Sequence, residues 1–185
     1  MQNPRPTLLD IVFVGMASME LHIHSHHLEA RAPDWAAAAV SGFAAGAVLM
    51  VLELLWSSIV TGVNPWITSH KIAAIVMGPD ALQSSSFSVG VVALALATHY
   101  ALGVVFGVAL CAIIAPFHFD SSVGMGLLVG AVFGLAIYLL NFYGMVRWFP
   151  WFADLRGWTT FAAHLIFGMT AALMYLKLER RGSDR

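Results

Sequence analysis

Residues 87–117 read FSVGVVALALATHYALGVVFGVALCAIIAPF and contain no Asp, Glu, Lys or Arg. A hydrocarbon core about 30 Å thick is crossed by about 20 helical residues, because each residue rises about 1.5 Å. So long an apolar run is expected to span a bilayer, near residues 88–113. The sequence on either side repeats the pattern. Between Trp35 and His70 the only charge is Glu53, which predicts a span at 36–60. Residues 121–146 carry none and predict a third at 123–143, and a fourth at 157–176 lies between Arg156 and Lys177. The expected fold is all-α: a polytopic integral membrane protein of four transmembrane helices arranged as two hairpins, a four-helix bundle over 36–176.

Composition agrees. The chain of 185 residues is 59% hydrophobic and 10% charged, with a mean hydropathy of +0.80. A soluble domain carries about a quarter charged residues, so there is too little polar surface here to coat a globule. The formal net charge of −1 offers no basic footprint for nucleic acid. Cys111 is alone in an apolar run, which excludes a disulfide framework and a cysteine-based zinc site. No G-x-S-x-G, H-E-x-x-H or Walker pattern is present, so a conventional hydrolase or nucleotidase is not expected.

Basic residues orient the bundle. Arg5, Arg31, Lys177, Arg180, Arg181 and Arg185 fall on one side, against Lys71, Arg147 and Arg156 on the other. The positive-inside rule places both termini in the cytoplasm. The expected organisation is a cytoplasmic segment 1–35, the bundle, and a basic cytoplasmic tail 177–185. Thr7 to Met19 is apolar but too short to span and is interrupted by Asp10, so it reads as an interfacial or packed helix rather than a cleaved leader. Trp66, Trp148, Trp151 and Trp158 suit an aromatic belt in the outer loops, where residues 65–77 are expected to form an interfacial helix carrying His70 and Lys71. His118 and Asp120 belong to the short cytoplasmic turn.

Glycines recur at helical spacing: Gly42 and Gly46, Gly103 and Gly107, Gly126, Gly130 and Gly134, with Gly168 in the last span. Such rows let helix backbones approach in lipid, so they mark packing faces. They also hint at a two-plus-two repeat, with Gly42 and Gly46 matching Gly126 and Gly130, Pro65 matching Pro150, and His99-x3-Gly103 matching His164-x3-Gly168. Coincidence is the rival, since glycine is common in membrane helices.

The glycine faces also carry the intramembrane polar residues. Glu53 shares a face with Gly42 and Gly46, His99 with Gly103 and Gly107, and Asn141 with Gly130 and Gly134, while His164 stands one turn before Gly168. Counted at about 1.5 Å per residue, all four lie within roughly 13 Å of depth in the outer half, so one outward-facing cavity is expected to hold them. An ionised carboxylate in that position is costly and must be protonated, paired or hydrated. Polar glue between helices is the plainer reading, and for Asn141 the favoured one. A separate cluster, His22, His24, His26 and His27, has imidazoles enough to chelate a divalent metal, or to gain charge near about pH 6 and report cytoplasmic acidification, although H-x-H-x-H-H matches no closed ligand set and a juxtamembrane polar linker is the commoner explanation.

Thr98-His99, the run Val105-Phe106-Gly107 to Ala112, Gly126-Leu127-Leu128-Val129-Gly130-Ala131, and His164 ahead of Arg180-Arg181 resemble the YagU-like family of uncharacterised bacterial inner-membrane proteins. The resemblance covers roughly the C-terminal half. It implies a bacterial inner-membrane location and a part in acid tolerance, and it supplies no catalytic residues.

Three functions therefore stand open. One is proton or metal-ion handling at Glu53, His99 and His164. Another is a non-catalytic accessory subunit that uses its glycine rows to self-associate or to join a larger membrane complex. The last is a redox subunit with haem b between His99 and His164, for which the roughly 6 Å difference in their depth is awkward.

Overall fold

The computed structural model describes residues 32–183. The N-terminal histidines and the Thr7 to Met19 segment lie outside them. Five α-helices carry the described chain: α1 (Trp35–Leu55), α2 (Trp66–Met77), α3 (Val89–Ile114), α4 (Val123–Leu139) and α5 (Trp158–Ser183). All but α2 are long and apolar enough to cross a membrane, at Trp35–Val60, Val89–Ile114, Val123–Arg147 and Trp158–Glu179. No strand occurs among the described residues.

Local chemistry sets the helix ends. The Asp34 carboxylate accepts from Ala37 N at 2.9 Å, and Ser122 Oγ accepts from Met125 N at 3.1 Å, so α1 and α4 both start on a side-chain cap. Both also finish in a wider π-type turn, Trp56–Thr61 after α1 and Leu140–Gly144 after α4. Gly62 (φ 62°) closes the first of these in the left-handed region, which glycine enters without steric cost. The fourth helix differs from expectation: α5 continues to Ser183, so the basic tail begins as helix. Leu, Lys, Glu and Arg are all good helix formers, and Leu176 and Glu179 are still buried.

The four spans are apolar outside as well as inside. Ile59, Val105, Leu128 and Val132 point outward at 58% exposure or more. A soluble bundle would place charge there. In a bilayer those faces meet acyl chains. The enclosed core is made of small residues, with Ala38, Ala45, Ala171 and Ala172 fully buried beside Leu110, Cys111, Ile114 and Tyr175.

Helix α1 packs antiparallel on α3, and α4 on α5, giving two hairpins. They join mainly through α1 and α5, while α3 and α4 barely touch. At the end of the short 115–122 turn, the Asp34 N–H donates to Tyr175 Oη at 3.2 Å. At the opposite end α2 lies against α3, and the Trp151 indole N–H donates to the Lys71 carbonyl at 3.0 Å, tying one hairpin's loop to the other's. Trp151 is thus a tether, and Trp66 packs on Phe87 at 4.8 Å, whereas Trp148 and Trp158 stand exposed as belt residues would. Lys71 also pairs with Asp154 at 3.2 Å, but Asp154 is 68% exposed. Such a pair contributes little, so Lys71→Met should lower stability by under about 1 kcal/mol. Trp151→Phe loses the tethering hydrogen bond to a carbonyl that keeps its helical partner, and is expected to cost about 1 kcal/mol. Thermal unfolding in detergent ranks the two, with Trp151→Phe the weaker protein.

His70, placed by sequence on an outer-loop helix, is buried on α2. Its Nδ1 lies 2.7 Å from Ala81 O and its Nε2 2.9 Å from Ser86 O, so the ring holds the 79–88 segment against α2. Replacing it with leucine removes both ring contacts and with them at least one hydrogen bond, at about 1–3 kcal/mol for a carbonyl left dry. Faster amide exchange at residues 79–88 in His70→Leu, with the spans unchanged, is the expected readout.

Candidate functional site

The glycine rows meet inside each hairpin. A Cβ on Gly42 would strike the Gly103 carbonyl and sit 2.9 Å from Gly107 Cα. One on Gly130 would strike the Gly168 carbonyl, and one on Gly134 the His164 carbonyl. Gly126 instead faces the Leu176 side chain, 3.0 Å from Cδ2. The repeat suggested by the sequence is thereby shifted by one helical turn. Gly42 meets Gly103 as Gly130 meets Gly168, and Gly46 faces His99 as Gly134 faces His164. Gly42 and Gly46 therefore correspond to Gly130 and Gly134, not to Gly126 and Gly130. The caps Asp34 and Ser122 keep the same interval. Sequence matching followed the prolines, which come about one turn sooner in the second hairpin, as do the π turns, and so chose the other register.

With that correction, Glu53 and Asn141 occupy corresponding places, as do His99 and His164, and Leu49 and Ile137. All six line one cavity of about 610 Å³ between the spans. Its floor is formed by Leu49, Phe106 and Phe167, and its mouth reaches Val63, Asp154 and Gly157 at the long-loop end. Thr68, Ile72 and Ile75 of α2 form part of the wall. Beyond the floor, the backbone contacts at Gly42, Gly103 and Gly107, and at Gly130 and Gly168, leave no room for a side chain. The lining comes from the long-loop half of the spans, above the buried core of Ala38, Ala45, Leu110 and Tyr175.

The hydrogen bonding of the imidazoles fixes what each offers the chamber. His99 Nε2 donates to the Gly46 carbonyl at 2.9 Å, which leaves Nδ1 of the neutral ring with its lone pair. His164 Nδ1 donates to the Thr160 carbonyl at 2.8 Å, which leaves Nε2. The His164 ring is held edge-on by Phe142 and Tyr138, at 5.2 and 6.0 Å. Asn141 and Phe142 belong to the π turn after α4, and Trp56 and Ser57 to the one after α1. Such wider turns re-aim side chains, and here they feed the chamber wall from both hairpins.

Glu53 is half-buried and has no hydrogen-bond or ion-pair partner among the described residues. Among the described residues no polar side-chain atom is both sealed from solvent and unpartnered, so its carboxyl oxygens are accessible, and the residue lines the chamber. The other charged residues of the lining are engaged. Asp154 pairs with Lys71, and Arg156 donates from Nε to the Phe142 carbonyl at 2.6 Å while its guanidinium lies 4.4 Å from the Tyr143 ring centre. The sequence had marked Arg156 only as an outer-side positive charge. Its place in the chamber has no local signal, because it depends on the 144–157 segment folding back over α4.

Among the described residues, no three His, Cys, Asp or Glu side chains converge as a metal site. The chamber therefore lacks the donor set expected for a metal held by Glu53, His99 and His164 together. The fold and this chamber define a helical multi-pass membrane protein with a largely apolar cavity between its spans that carries a few polar groups. No family model, curated protein or solved structure matches the chain.

Proposed function

We propose that this is a proton-handling protein of the bacterial inner membrane, in which Glu53 takes up and releases a proton from a chamber facing away from the cytoplasm. The observation that carries the proposal is the gathering of Glu53, His99, Asn141 and His164 around one cavity, with the Glu53 carboxyl unpartnered. Intramembrane carboxylates facing an internal cavity are the usual stations of proton relays. The neighbouring His99 and His164 lone pairs are ready acceptors, and Asn141 is a neutral hydrogen-bonding partner. The greater number of basic residues on the short-turn side supports cytoplasmic termini. The acid-tolerance role implied by the resemblance of the C-terminal half fits the same chemistry. The recurrence of one contact pattern in both hairpins supports an origin by duplication. The glycine faces are occupied within the chain, which favours the cavity reading over assembly with a partner.

A pH-difference infrared spectrum of the purified protein in lipid tests this directly. The wild type should show a carboxylic C=O band that exchanges for carboxylate as pH rises, and Glu53→Gln should lack it. A band that does not change with pH, or that survives in the variant, refutes proton exchange at Glu53. An absorption spectrum and metal analysis of the same sample distinguish the proton reading from haem and metal.

A further inference from the structure

We infer that the chamber binds a monovalent amphipathic amine, its ammonium head on Glu53 and its apolar body against the aromatic wall. This rests on the proton reading of Glu53, because amine and proton compete for one carboxylate. The volume of about 610 Å³ falls within the roughly 300–1,000 Å³ of small-molecule sites. The wall is largely Trp56, Phe106, Phe142, Phe149, Phe152 and Phe167, with aliphatic side chains between them. Aromatic faces hold both an apolar skeleton and a cation.

The polar groups decide the charge and chemistry of the head. Glu53 offers carboxyl oxygens, and His99 and His164 each offer one lone pair, a set of acceptors that suits a donor-rich group. An anion would meet the carboxylate. Arg156, the cation of the lining, is directed to the Phe142 carbonyl and the Tyr143 ring and forms no ion pair with Glu53. The correspondence of the hairpins then sets the valence. Where the first places Glu53, the second places Asn141, so the paired positions carry one carboxyl and one amide. The chamber neutralises a single positive charge and can share the remaining N–H donors with the Asn141 carbonyl.

Binding exchanges one cation for another. The O–H bond of the protonated Glu53 carboxyl breaks, the proton leaves to water at the mouth, and the ammonium pairs with the carboxylate without any covalent bond. Charge in the chamber is unchanged.

The test uses the full chain in lipid nanodiscs, with 4-phenylbutylammonium and its uncharged counterpart 4-phenylbutanol as probes and empty nanodiscs as the blank. The ammonium should bind saturably and release protons into weakly buffered solution, while the alcohol binds at least about tenfold more weakly, as expected when a desolvated charge pair is lost. Glu53→Gln should lose the ammonium by a similar factor and Glu53→Asp should keep most of it, both being checked for wild-type melting. Asn141→Asp should gain affinity for a diammonium of similar length. Equal binding of alcohol and ammonium, or undiminished ammonium binding by a folded Glu53→Gln, overturns the inference. If the ligand-free infrared band titrates while no ammonium binds, the amine is wrong and the proton reading stands. If the band never titrates, the proton reading itself has failed.

Discussion

Gly42→Ala is expected to break the first hairpin's packing, whereas Gly46→Ala, one turn away in the same glycine row, should be nearly silent. At Gly42 the new methyl would meet the Gly103 carbonyl and come within 2.9 Å of Gly107 Cα. These are backbone atoms, which no rotamer change can move aside. Helices α1 and α3 must separate along their contact, at about 3 kcal/mol or more, the upper end of overpacking costs. At Gly46 the nearest atoms are Gly103 Cα at 3.7 Å and His99 Nε2 at 3.8 Å, an ordinary contact. Gly168→Ala should behave like Gly42→Ala, because its methyl would meet the Gly130 carbonyl and lie 2.9 Å from Gly134 N. At Gly124 nothing lies within 4 Å, and alanine there should be neutral or gain up to about 1 kcal/mol of helix propensity. Unfolding in mixed micelles orders the four variants. If Gly46→Ala proves as damaging as Gly42→Ala, the helices do not cross as described.

Glu53→Gln should separate function from stability. Glutamine keeps the size and hydrogen-bonding reach of the protonated acid, and no hydrogen bond or ion pair to a described residue is lost with the carboxyl. Its melting temperature is therefore expected to match the wild type, within about 0.5 kcal/mol of stability. Proton exchange requires an ionisable oxygen, and the amide has none. Proton uptake by protein in nanodiscs, followed with a pH-sensitive dye in weakly buffered solution, should be smaller by about one proton per chain. His164→Gln is a contrasting case. It replaces a basic ring nitrogen with an amide that takes up no proton and loses the aromatic packing against Phe142 and Tyr138, so both melting temperature and uptake should drop. A Glu53→Gln protein that takes up protons to the wild-type extent would place the working group elsewhere.

The four spans were legible because their signal is local. Charge-free stretches long enough to cross a bilayer need no partner to be recognised, and the observed spans begin within two residues of those expected. The facing of Glu53, His99 and Asn141 was also readable, since helical periodicity alone puts them on glycine-lined faces. The length of α5 was not. The sequence suggests a stop at Lys177, where charge begins, but helix propensity carries the chain on to Ser183. Nor was His70 readable, because its partners Ala81 O and Ser86 O become neighbours only when the 79–88 segment folds back.

Sequence alone therefore determined the membrane class, the span positions and the polar residues turned inward, all consequences of hydropathy and a 3.6-residue period. Tertiary structure decided which glycine meets which, and with that the one-turn shift that sets Glu53 against Asn141 as corresponding positions. It also decided that Arg156 is bonded to the Phe142 carbonyl. The Arg156 contact depends on how the 144–157 segment folds back, and the shift on the register of one helix against another, which is set by backbone contact at single glycines, and glycine leaves no side chain in the sequence by which that register could be read.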